Sequence, residues 1–220
     1  MIRQSESGCG VTGEWELAGQ ARNEFADVVE ELDDDQWETE TLCPGWTPHD
    51  VLAHLVWHTE LTIPSLLGAM VRSRFDLQRA ANRAAADLSQ RPRVQLLGEL
   101  RERANKKSSI PGAPESGSVT DTAIHIQDVR RALGLDGMLG PETVRVCLDF
   151  LTTNRNARYV MDPKIKQGLR LVATDLDWSF GDGETVEGHG EAIVMSLVGR
   201  PAVSELSGDG TATLTTRLAS

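Results

Sequence analysis

The stretch Thr47-Pro48-His49-Asp50-Val51-Leu52-Ala53-His54-Leu55-Val56-Trp57-His58 decides the fold, because it opens a helix with a clear start. Thr47 is a good N-cap residue, Pro48 supplies the backbone angle of a first helical position, and Asp50 puts a negative charge in the first turn. Val51, Leu52, Leu55, Leu61, Leu66 and Leu67 give the helix an apolar surface as far as about Val71, with a kink or break expected at Pro64.

Outward from this helix the same periodicity recurs. Trp15, Leu17, Ala18, Ala21, Phe25, Val28, Val29 and Leu32 mark a helix over 13–32. Residues 75–89 are Ala- and Arg-rich and helical by propensity. Pro92 opens a further helix with Val94, Leu97, Leu100 and Ala104 on its apolar face and Arg101, Arg103, Lys106 and Lys107 in a basic last turn. Another helix runs over 119–133 and stops at Gly134, a C-terminal capping glycine. Between them, 1–12 read as a frayed tail, Asp33-Asp34-Asp35 as a charged turn, 41–46 as a connector and 108–118 as a flexible stretch.

After Gly140 the pattern changes. A helix is expected over 141–159, a strand over 168–175 with extended chain to 180, a hairpin at Gly181-Asp182-Gly183 with a return strand over 185–187, short helices over 190–198 and 201–206, and a last strand over 211–215. The expected fold is therefore α+β, mainly α. A bundle of about four long helices (1–137) precedes a small α+β domain (138–220).

Composition removes several classes of function. The chain has 220 residues with 22 Lys+Arg against 33 Asp+Glu, a net charge of −11. That balance argues against nucleic-acid binding, which depends on cationic groups releasing counterions. No apolar run approaches the ~18 residues of a membrane span, and the polar start has no secretory core. Cys9, Cys43 and Cys147 are odd in number and far apart, so neither a disulfide framework nor a thiolate zinc site is expected, and a cytoplasmic location follows. Monomer and dimer both remain open.

The chemistry concentrates on histidine. His54 and His125 sit among apolar neighbours, and an imidazole turned inward costs free energy unless it finds a partner. Asp121 and His125 are four residues apart and share one helix face. With His54 from another helix they make two imidazoles and one carboxylate, an open catalytic arrangement for a divalent metal such as zinc. Hydrogen-bonded core histidines are the plain alternative, and His54 with His58 is a rival pair. His49 reads as solvated and His189 as a surface residue. Cys43 has no local base to make it a nucleophile. Trp46 and Trp57 are core residues or a pocket wall. Asp128 either orients His125 or pairs with Arg131 in solvent. No G-x-S-x-G, G-x-G-x-x-G or phosphate-loop pattern is present.

The segments CPGWTPHDVLAHL (43–55) and the D-x-x-x-H-x-x-D-V-R-R-x-L-G pattern of 121–134, with LRLVATDLDWSFGDGETVEG, LVGRP and ELSGDG in the tail, resemble the mycothiol-dependent maleylpyruvate isomerase-like proteins of the DinB/YfiT-like metalloprotein group. The resemblance runs from about Trp15 to Leu214. It implies a DinB-like four-helix bundle holding a divalent metal, usually zinc, with His54, Asp121 and His125 in the ligand positions. Asp121 stands where the isomerase has Glu, a carboxylate one methylene longer. The resemblance further implies mycothiol as thiol cosubstrate, a small electrophile as its partner in isomerisation or S-transfer, and Arg200 facing the pocket to neutralise a substrate carboxylate. A metal- or small-ligand-binding protein of the same fold, without catalysis, is the alternative.

Overall fold

The computed structural model describes residues 13–107 and 113–219, the side chain of Gln78 excepted. The tail at 1–12, Cys9 within it, and the 108–112 part of the flexible stretch lie outside the described residues.

The bundle consists of α1 (Glu14–Glu30), α3 (Pro48–Glu60), α6 (Arg93–Glu102) and α7 (Glu115–Leu133). Its centre is filled by Phe25, Val29, Leu52, Leu55, Leu96, Leu100 and Ile126. α3 starts as the sequence indicates. The Thr47 side chain accepts from the Asp50 amide while Asp50 reaches back to the Thr47 amide, a closed capping box. α7 ends at Gly134, which takes a left-handed conformation with φ 64°.

Several expectations are corrected. The charged turn after α1 is a short helix, α2 (Asp34–Trp37), because Asp33 and Gln36 form a capping box of their own. The helix expected to 71 breaks at Leu61 and Thr62, and Pro64 sits in the first turn of a separate helix, α4 (Ile63–Arg72). α4 buries none of its residues, and α5 (Leu77–Leu88) follows and packs on α3. On α6 the buried residues are Leu96 and Leu100, whereas Val94 is 84% exposed. α7 begins at Glu115, so Ser116, Gly117 and Ser118 are helical. Gly117 faces the Phe150 ring, which stands 3.6 Å from where a Cβ would lie, an ordinary packing distance.

Beyond residue 140 come α8 (Pro141–Thr153), then β1 (Leu169–Ala173), β2 (Trp178–Phe180) and β3 (Glu184–Gly188), followed by α9 (Gly190–Leu197) and α10 (Thr211–Leu218). Residues 155–159 form a separate 3₁₀ turn rather than the end of α8, and 203–205 another. The sheet order is β2-β1-β3. β2 pairs antiparallel with β1, Leu171 opposite Phe180, and β3 runs parallel to β1, Leu169 opposite Glu184. Gly181-Asp182-Gly183 is therefore not a hairpin between β2 and β3. It carries the chain under the start of β1, with Gly181 at φ 80° and Gly183 at φ 128° against the backbone oxygens of Leu169 and Gly168. No side chain fits there. The expected last strand is α10: Gly210 precedes it and Leu214 is its buried anchor. One apolar core runs from Ala21 through Cys147, Leu148 and Leu171 to Leu214.

Candidate metal centre

α3 and α7 cross with their histidine faces together. One ligand atom from each of His54, Asp121 and His125 lies within 4.8 Å of the others. His54 is 5% exposed and His125 7%, so neither ring is solvated as a surface histidine would be. His54 Nε2 is 3.5 Å from Asp121 Oδ2, and His125 Nε2 is 4.0 Å from Asp121 Oδ1. His58, one turn after His54, brings Nδ1 to 3.1 Å from Asp121 Oδ2. The ring of Trp46 stacks on His125 at 5.9 Å and tilts against His54 at 5.1 Å, so this tryptophan is a wall of the site as well as a core residue.

Asp128, three residues after His125, is fully buried and takes the orienting role, not a solvated one. Its Oδ2 is 3.0 Å from His125 Nδ1. Arg200 donates to the same carboxylate through Nε at 2.7 Å and Nη2 at 2.9 Å, a bidentate pair. Arg131 goes elsewhere, to Glu191 and Glu205. The placement of Arg200 has a local cause. Gly199, at φ 78°, closes α9, and the amides of Gly199 and Arg200 return to Ser196 and Met195 in a Schellman turn. The connector is tied to the same point, since the Leu42 amide donates to the Asp128 carbonyl at 3.1 Å.

The electrostatics follow from burial and neighbours. Burial pushes the His54 imidazole down to about 4, and the neighbouring His58 adds to the effect. Burial opposes the charged form of Asp121, but His58 and His54 outweigh it and hold the carboxyl well below its ordinary value. Burial likewise opposes a charged His125, yet the Asp128 hydrogen bond and the Asp121 charge raise its pKa. Asp128 is depressed in spite of burial by its bonds to Arg200 and His125. An ionised Asp128 fixes Nδ1 of His125 as the protonated nitrogen and leaves Nε2 as the free lone pair towards Asp121.

Both ring nitrogens of His54 and Oδ2 of Asp121 are buried without a hydrogen-bond partner of proper geometry among the described residues. Buried polar atoms left in this state cost free energy, and such orphans call for a bound group. Two imidazole nitrogens and a carboxylate, with Asp128 behind one of them, are a donor set that fits a divalent metal.

The three side chains open on a cavity of about 320 Å3, which Cys43, Trp46, Asn82, Tyr159 and Arg200 also line. Burial pushes the Cys43 thiol up to about 11. Asn82 and Tyr159 carry no sequence signal of such a place; they reach it only through the fold. Trp57 packs beside His54 and His58 at 6.2 and 5.2 Å. His49 is not simply solvated, since its Nε2 lies 3.1 Å from the Arg91 carbonyl oxygen. His189 is at the surface, 61% exposed and 3.6 Å from Asp175.

Residues 18–109 match the family described as the mycothiol maleylpyruvate isomerase N-terminal domain. Two solved structures share the fold of the whole chain. One is of a point mutant of the mycothiol-dependent maleylpyruvate isomerase, with 14% identity, TM-score 0.62, and 90% of this chain and 92% of that chain covered. The other is of the mycothiol-dependent maleylpyruvate isomerase, with 15% identity, TM-score 0.57 and the same coverage of 90% and 92%. Among the curated proteins, no sequence matches this chain. Residues 18–109 thus resemble the N-terminal domain of the mycothiol maleylpyruvate isomerases, and the chain shares the fold of the solved isomerase structures.

Proposed function

We propose that the chain is a mycothiol-dependent metalloenzyme, a maleylpyruvate isomerase-like protein or a thiol S-transferase, acting on a small electrophile. The observation that carries this reading is the buried His54 ring beside Asp121 and His125, its nitrogens without a hydrogen-bond partner among the described residues. His54, Asp121 and His125 would hold a divalent metal, with zinc the best match to two imidazoles and a carboxylate. When bound, such an ion stabilises the thiolate of a low-molecular-weight thiol at neutral pH.

The remaining residues serve that chemistry in definite ways. Asp128 holds His125 Nδ1 and so directs Nε2 towards Asp121. Arg200 neutralises Asp128 from the cavity side, with two of its nitrogens engaged there. It thus orients the site through Asp128, besides standing at the cavity wall where an anionic substrate would arrive. Cys43 lines the cavity, but with its pKa at about 11 the thiol stays protonated at neutral pH. An internal thiolate is therefore disfavoured in the metal-free protein, which favours a thiol brought from outside as the nucleophile. Trp46 shields the two imidazoles from solvent. We place the protein in the cytoplasm, where a reduced thiol pool exists.

Metal analysis of protein purified without added metal tests the reading. Near-stoichiometric zinc that is lost in His54→Ala and His125→Ala is the expected result, and its absence in the unaltered protein would overturn the proposal. Cobalt substitution followed by mycothiol titration then separates catalysis from mere binding. A sulfur-to-cobalt charge-transfer band supports thiol activation. A spectrum that ignores the thiol favours a metal-binding protein without catalysis.

A further inference from the structure

His58 makes the shortest contact to the Asp121 carboxylate of any imidazole in the site. Its Nδ1 lies 3.1 Å from Oδ2, against 3.5 Å for His54 Nε2 and 4.0 Å from His125 Nε2 to the other oxygen. Yet His58 does not share the geometry of the other three side chains. It lies outside the group whose ligand atoms are all within 4.8 Å of one another.

The ring is held where it is. It lies one helical turn after His54 with ring centres 4.3 Å apart, and Trp57 sits against it at 5.2 Å. The side chain is 13% exposed, so it has little room to swing away. Asp121, by contrast, has a short side chain with two torsions, and its Oδ2 is buried. A carboxylate that must present an oxygen to two imidazoles needs a group that fixes its rotation. Outer partners of this kind govern metal affinity in other sites, typically by 10–100-fold.

We propose that His58 is a positioning residue: by its contact with Oδ2 it holds the Asp121 carboxylate turned towards His54 and His125. This rests on the metal reading above, but one part of it concerns the chain alone. An Asp side chain can turn away by a change of rotamer, and His58 selects the rotamer that faces the two ligating rings. Asn at this position would keep a donor near the place of Nδ1, whereas Ala would keep none.

Two measurements test the proposal. The first is zinc affinity by chelator competition, with cobalt spectra alongside. His58→Ala is expected to weaken binding by roughly 10–100-fold while the cobalt spectrum keeps its ligand-field pattern, and His58→Asn recovers much of the loss. Unchanged affinity in His58→Ala overturns the proposal. So does a cobalt spectrum that reports one nitrogen ligand fewer, which would make His58 a ligand. The second is a crystal structure of metal-free His58→Ala. The Asp121 carboxylate is expected to turn from His54 and His125, and an unaltered rotamer overturns the proposal. If the unaltered protein binds no metal, the functional reading fails, and the second measurement still decides the role of His58.

Discussion

Asp128 and Arg200 are joined by two parallel hydrogen bonds of 2.7 and 2.9 Å, although one stands on a bundle helix and the other on the turn after α9. The pair ties the C-terminal segment to the imidazole of His125. Asp128 is fully buried and the Arg200 side chain is 19% exposed, so solvent cannot replace either partner well.

Asp128→Asn therefore has two expected effects. It leaves the Arg200 charge uncompensated, which costs about 3 kcal/mol, the low end for breaking a buried pair because Arg200 keeps some solvent. It also releases the His125 ring and weakens metal binding by roughly 10–100-fold. Urea unfolding and chelator competition measure the two separately. Arg200→Lys keeps the charge but not the fork, so its loss in both assays is smaller. A Lys variant that matches the unaltered protein in both assays would show that the bidentate geometry is unimportant.

Asp121→Glu adds one methylene to the carboxylate at the centre of the cluster, and Asp121→Ala removes it. The first is expected to keep or strengthen metal binding, because the longer arm still reaches between His54 and His125. The second is expected to abolish measurable binding, since two imidazoles alone do not complete the site. Chelator competition reads both. A large loss in Asp121→Glu would show that the acid does not ligate.

What the sequence disclosed and what it hid divide on physical grounds. The start of α3 was legible because Thr47, Pro48 and Asp50 act on their own turn. The Asp121/His125 pairing was legible because helical spacing alone puts positions four apart on one face. The partnership of α3 with α7 is long-range, so the apolar setting of His54 suggested it as a third ligand without fixing it there, and the family likeness strengthened that reading. The crossing under β1 was missed because Gly181-Asp182-Gly183 has the residues of a hairpin turn, while the register of β3 is set by its parallel pairing with β1. α10 was misread because its threonines favour strands, and the anchor Leu214 overrides that preference. The role of Asp128 was a choice between two neighbours. Arg200, seventy-two residues away, settled it.

Cys43 provides a third prediction. Its thiol pKa is raised to about 11 from an ordinary 9.0, first by burial and then by the charge of Asp128. Two units less thiolate at neutral pH mean alkylation on the order of 100-fold slower than for an unperturbed thiol. Site-resolved mass spectrometry after iodoacetamide treatment in native protein, with the denatured chain as reference, measures this. Rapid labelling of Cys43 at pH 7 would show that the cavity does not suppress the thiolate, and the argument for an external nucleophile would lose its support.

The pH dependence of stability in metal-free protein tests the burial of His54 directly. The folded imidazole titrates at about 4 and the unfolded one at its ordinary 6.5. Above pH 6.5 neither state is protonated at this residue and it contributes nothing. Between 6.5 and 4 the unfolded chain takes up a proton that the folded chain refuses, so stability falls as pH falls. Below 4 both are protonated and the loss levels off, at an order of ~3 kcal/mol for a shift of this size. His125 acts with the opposite sign, because its pKa is raised in the fold. Its contribution is complete below 6.5 and is lost as pH rises through the folded value. Asp121 and Asp128, both depressed, act only below about 3.8, outside this window. The two act on opposite sides of 6.5, so together they favour a stability maximum near that pH, and the informative quantity below it is the difference from His54→Gln, which removes one titration and leaves the other. Urea unfolding from pH 4 to 8 is expected to show His54→Gln losing less stability than the unaltered protein between 6.5 and 4. Parallel curves would mean that His54 is hydrated in the folded chain, and the cavity would then be too wet for its orphaned nitrogens to signify a bound metal.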